Sequence, residues 1–203
     1  MRDRLALAFL SVFLLAGVGA SIAGEDHAAH EVIAPGAAVP GESLYQMTLP
    51  LTGQDGKTVP FDSLRGRPML LTLFYTSCDG VCPMLAFTMR RVVAALPSEQ
   101  RARVRALMVS FDPERDSPEA LQAFAKLHQL DSAQWLLARA DEGDVRELAA
   151  VLGIRYRPLP GGVFSHSAVI TLLDADGVVR ARTENLQTLD PDFMRAVSHT
   201  LEQ

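Results

Sequence analysis

From Leu44 onward the apolar positions of this chain fall into alternating strand-like and helix-like blocks. Leu44 to Leu51 and Lys57 to Phe61 flank a Gly53-Gln54-Asp55-Gly56 turn, a pattern that predicts a hairpin. Met69 to Tyr75 reads as a buried-strand run, mostly apolar as expected of a strand covered on both faces. Leu85, Met89, Val92 and Leu96 then recur at helical spacing until Pro97 stops the helix. Ala106 to Val109 predicts a second buried strand, and Ser117-Pro118 supplies a cap and a first-turn proline for a helix whose apolar face is Leu121, Phe124 and Leu127. Trp135 to Leu137 reads as a third strand, and Val145, Leu148, Ala149 and Leu152 as one face of a helix closed by Gly153. Arg155 to Ser165 reads as a loop. Ala168 to Leu173 and Val178 to Ala181 flank an Asp174-Ala175-Asp176-Gly177 turn, and Pro191 opens a last helix carrying Phe193, Val197 and Leu201. Strands and helices in this alternation, followed by a hairpin and a helix, predict an α/β sandwich with a mixed central sheet.

Residues before Leu44 follow a different pattern. Arg2 and Arg4 precede an uncharged run from Leu5 to Gly24 with small residues at Ala20 and Ala23. Such a segment directs export, either as a cleaved signal or as a retained membrane anchor. Gly24 to Ser43, rich in Ala, Gly and Pro, has no apolar period and reads as a flexible tether; His27 and His30 within it are expected to be solvated linker residues rather than metal ligands. The organisation is therefore 1–23 signal peptide or anchor, 24–43 tether and 44–203 globular domain. At 203 residues and 48% hydrophobic composition there is enough chain for one core. The net charge of −5, with no basic run longer than Arg90-Arg91, argues against nucleic acid as a partner.

The chemistry is concentrated at two cysteines, Cys78 and Cys82, where the first buried strand gives way to a helix. Residues four apart on a helix are neighbours, so both thiols face the same way, and the helix N-terminus is expected to lower both pKa values. A loop this short is a poor structural staple. Thiols so placed exchange disulfides, reduce peroxide or bind a soft metal, and a third group decides between these roles. His166, in Phe164-Ser165-His166-Ser167 just before a buried strand, is the candidate for that group. No Thr-x-x-Cys pattern marks Cys78 as a peroxidatic thiol. Met69, Met84, Met89 and Met108 are expected to pack in the core rather than bind metal, and His128 and His199 to lie on helix surfaces.

Three separated segments now carry a resemblance: Tyr75-Thr76-Ser77-Cys78-Asp79-Gly80-Val81-Cys82-Pro83, Ser110-Phe111-Asp112-Pro113-Glu114-Arg115-Asp116-Ser117-Pro118 and His166-Ser167-Ala168. Together they resemble the Sco/SenC family of copper-delivery proteins. The resemblance implies a thioredoxin-like fold, with helices flanking a mixed central sheet and an N-terminal β-hairpin. It implies one copper, Cu(I) or Cu(II), on Cys78, Cys82 and His166, with Asp112 and Pro113 shaping the neighbouring loop. The implied role is delivery of copper to the binuclear centre of cytochrome c oxidase subunit II, in the periplasm or on the periplasmic face of the inner membrane. Other periplasmic copper carriers or thiol reductants are further expected partners. The alternative is a thiol-disulfide oxidoreductase, with Cys78 and Cys82 as a redox-active disulfide, that reduces the cysteines of that subunit or acts as a redox sensor. Many relatives carry Pro-Asp between the cysteines, where this chain has Asp79-Gly80. Zinc is the competing metal, since a Cys₂His set with an open position also suits it.

Overall fold

The apolar run beginning at Met69 forms strand β3, Met69–Phe74, in which every residue is buried. The structure, a computed structural model, describes residues 38–203; the expected leader, His27, His30 and the first part of the tether lie outside the described residues. On one side β3 pairs in parallel with β4, Arg105–Ser110, and β4 in parallel with β5, Trp135–Arg139. On the other side β3 pairs antiparallel with β8, Ile170–Leu173, which turns back into β9, Val179–Thr183. The hairpin β1, Pro50–Gly53, and β2, Thr58–Pro60, joins through an antiparallel pairing of β1 with β5. A seven-stranded mixed sheet results, in the order β2-β1-β5-β4-β3-β8-β9. The parallel strands at its centre are largely apolar because both of their faces are covered.

The helices are α1, Val81–Ala95; α2, Ser98–Arg103; α3, Pro118–Leu127; α4, Glu142–Val151; and α5, Pro191–Glu202. They flank the sheet. Phe124 of α3 packs against Phe74 of β3 with ring centroids 5.0 Å apart, and Thr88 of α1 donates to the Leu186 carbonyl at 3.0 Å. Ser117 caps α3 by accepting from the Ala120 amide at 3.3 Å, with Pro118 in the first turn, as its sequence predicts.

Three segments depart from the pattern. Leu44–Gln46 is a turn of 3-10 helix rather than strand, capped by Ser43, and the adjacent Leu44 and Tyr45 are both buried, which strand alternation would not allow. Helix α2 buries no residue, so no apolar period announces it. The expected loop after α4 contains a separate two-stranded ribbon, β6, Tyr156–Pro158, and β7, Phe164–His166. Its register pairs Tyr156 with His166, Arg157 with Ser165 and Pro158 with Phe164. Its turn runs through Gly161 and Gly162, whose φ values of 85° and 75° favour glycine.

Candidate metal centre

Cys78 lies in the turn after β3, its amide donating to the Tyr75 carbonyl at 3.4 Å. The N-cap of α1 is Gly80, which has no side chain to offer, and the Cys82 amide inside the first turn donates instead to Cys78 Sγ at 3.4 Å. The sulfur thus occupies the place of a capping oxygen. His166 arrives from the other direction at the end of β7, with Nε2 3.7 Å from Cys82 Sγ. The two sulfurs and an imidazole nitrogen all lie within 4.8 Å of one another. A metal about 2.3 Å from each sulfur and about 2.0 Å from the nitrogen needs donors roughly 3.5–4 Å apart, so the set fits after a movement of about 1 Å. Both cysteines are free thiols.

The electrostatics of the three donors differ. Burial raises the Cys78 thiol, but hydrogen bonds from the Cys82 amide and thiol, the Gly80 amide and the Tyr75 hydroxyl outweigh it, so its pKa lies below the ordinary thiol value. Cys82 is shifted the other way. Burial dominates there, the neighbouring Cys78 and Asp116 add to it, and the Tyr75 amide opposes it. The expectation that both thiols are acidified therefore fails at Cys82, which has no exposed surface at all, whereas Cys78 retains 8%. His166 is held below the usual imidazole value by burial, against an opposing bond to Ser167. Its Nδ1 sits 3.1 Å from the Ser167 carbonyl, an acceptor only, so Nδ1 carries the proton and Nε2 turns its lone pair towards Cys82.

Behind the donors stands a polar network that the sequence reading passed over. Asp116 is fully buried and accepts from the Thr76 amide at 3.0 Å, from the Thr76 hydroxyl and from the Ser110 hydroxyl at 2.5 Å. It thereby fixes the backbone two residues before Cys78. Asp112 bonds Arg115 at 2.5 Å, and Arg115 reaches the Gly162 carbonyl at 2.5 Å, tying the loop after β4 to the ribbon that carries His166. Asp112 is thus a loop-shaping residue, as expected, and not one of the donors. Phe111 and Tyr75 pack edge-on against the His166 ring, with centroids 4.9 and 6.0 Å away.

Met69, Met89 and Met108 are buried in the core as expected, but Met84 is 43% exposed: it lies on the face of α1 that points away from the sheet. His199 is exposed on α5. A cleft of about 870 Å³ opens beside the ribbon, lined by Phe111, Tyr156 and Phe164 among others, and contains none of the three donors.

The arrangement has relatives. The SCO1 protein homolog of Bacillus subtilis is 30% identical over 129 residues, which cover 62% of this chain and 66% of that protein. The structure of ScoI from Bradyrhizobium japonicum with copper bound is 27% identical, with a TM-score of 0.62 over 76% of this chain and 96% of that one. BsSco, described as a Sco family member with a disulfide switch, is 26% identical, with a TM-score of 0.65 over 75% of this chain and 91% of that one. The chain spans about two thirds of the length of the curated Bacillus relative. Residues 38–201 match the SCO1/SenC family model, a match that takes in all three donors and the whole of the sheet, so the chain belongs to the SCO1/SenC family.

Proposed function

We propose that this protein binds one copper ion as cargo through Cys78, Cys82 and His166 and delivers it to the binuclear copper centre of cytochrome c oxidase subunit II. The observation that carries the reading is the convergence of two sulfurs and one correctly protonated imidazole within 4.8 Å. Thiolates favour Cu(I) while imidazole also suits Cu(II), so the set accommodates either state. A set of three donors leaves a coordination position for an incoming ligand, which stepwise transfer requires. Membership of the family and the copper-bound relative support the same reading. Action outside the cytoplasm, with the N-terminal segment as signal or anchor, belongs to this proposal.

A second reading is favoured by the asymmetry of the thiols. Cys78 is the more acidic and more exposed, Cys82 the more basic and fully buried. In exchange chemistry the Cys78 thiolate attacks a partner disulfide to give a mixed disulfide and expel one partner thiolate. Cys82 then attacks Cys78, releasing the second partner thiol and leaving the partner reduced and this pair oxidised.

Reconstitution of the reduced protein with one equivalent of Cu(II) separates the two. The copper reading expects a sulfur-to-copper charge-transfer band that disappears in Cys78→Ser and Cys82→Ser and collapses in His166→Ala. A wild-type protein that binds no copper at stoichiometric level would sink it. Catalysed reduction of a disulfide substrate by the copper-free protein, undiminished in His166→Ala, would favour the second reading.

A further inference from the structure

Tyr75 ends the buried run of β3, is 3% exposed and touches every part of the centre. Its carbonyl accepts the Cys78 amide at 3.4 Å, and its hydroxyl oxygen accepts the Phe164 amide at 3.3 Å, two residues before His166 on β7. Its ring packs against Phe164, Phe111 and His166, with centroids 5.2, 5.2 and 6.0 Å away.

Strand β7 belongs to a ribbon that makes no ladder with the main sheet. His166 is held relative to the cysteines by its short chain connection to β8 and by side-chain contact, and Tyr75, whose carbonyl accepts the Cys78 amide, bonds the ribbon at Phe164 through its hydroxyl. Resting on the copper reading above, we propose that Tyr75 is a positioning residue: its hydroxyl locks the histidine ribbon to the cysteine loop and presents the donors to copper already assembled. Partners of this kind behind a metal ligand alter affinity by roughly 10–100-fold when removed.

Tyr75→Phe deletes one oxygen and keeps the ring. In the metal-free reduced protein the Phe164 amide then has no acceptor, and its hydrogen exchange accelerates at least several-fold, measured residue by residue by NMR. On loading with Cu(II), affinity falls about 10-fold or more and the sulfur-to-copper band shifts, because the ribbon that carries His166 is no longer bonded to Tyr75 at Phe164. Tyr156→Phe is the control: it removes a ribbon hydroxyl from the residue paired across from His166 and leaves both the band and the affinity at the wild-type level. An unchanged amide, band and affinity in Tyr75→Phe, with wild type loading normally, overturns the role of Tyr75 and leaves the copper reading standing. Equal losses in Tyr75→Phe and Tyr156→Phe also overturn it, since they would mean that any damage to the ribbon suffices. A wild-type protein without the band overturns the copper reading itself.

Discussion

Asp116 shows how much of a metal centre can rest on a residue that never touches the metal. A carboxylate with no exposed surface is costly unless its oxygens are satisfied, and here a backbone amide and two hydroxyls satisfy them. Asp116→Ala leaves the Thr76 amide and the Ser110 hydroxyl buried without that acceptor. The expected loss is about 3 kcal/mol, or roughly 6–12 °C in Tm for a chain of this size. Asp116→Asn, which keeps one acceptor oxygen, loses less. Thermal unfolding followed by circular dichroism decides it, and an alanine variant melting within about 2 °C of wild type would show that the network is incidental. At this scale the sequence displays donors better than their environments. Cys78, Cys82 and His166 are visible because few residue types bind soft metals and because their neighbouring motifs fall in a recognisable order. The raised pKa of Cys82, the exposure of Met84 and the burial of Asp116 depend on which face of a strand or helix meets which other element, and one-dimensional spacing does not encode that.

The β6-β7 ribbon is the element on which assembly of the site turns. Its strands are three residues each and half exposed, with Pro158 ending β6 and Pro160 in the turn, so neither length nor alternation distinguishes them from the loop the pattern predicts. The available cue was Pro160-Gly161-Gly162, a turn sequence between two aromatic positions. The long buried elements are legible for the opposite reason: β3 is apolar at every position but Thr72, and α1, α3 and α5 each repeat an apolar face between a proline or cap and a stop. Arg115 holds the ribbon in place through its ion pair with Asp112, its bond to the Gly162 carbonyl and its contact with the Phe164 ring at 5.7 Å. Arg115 is 43% exposed, so its ion pair contributes little to global stability. Arg115→Ala is therefore expected to leave Tm within a few degrees of wild type while quickening proteolysis at the 159–163 turn and weakening copper binding several-fold. Limited proteolysis with mass mapping checks the first effect and a competition titration with a copper chelator the second. Unchanged cleavage at the turn would show that the ribbon holds itself.

For the whole molecule, the consequence of placing both sulfurs in one site is that copper and oxidation compete for the same atoms. A disulfide brings the sulfurs to about 2.05 Å and removes both from the donor set, leaving His166 as the one remaining donor of the three. Metal loading ties Cys78 in the β3-α1 turn, Cys82 in the first turn of α1 and His166 on the ribbon to a single atom, so it stabilises the folded chain across elements that are otherwise joined by side-chain contacts. For the reduced protein, free copper at about a hundred times Kd adds about 2.7 kcal/mol, a rise of roughly 5–10 °C in Tm. The oxidised protein, with its sulfurs consumed, gains almost nothing from the same copper, and adding a thiol reductant restores the response. Scanning calorimetry of both forms, each with and without one chelator-buffered copper concentration, gives the four values needed. Equal stabilisation of the oxidised and reduced forms would mean that copper binds elsewhere. Stabilisation confined to the reduced form would make oxidation of Cys78 and Cys82 a route by which cargo is released, with the thiol chemistry and the metal chemistry of this protein as two states of one site.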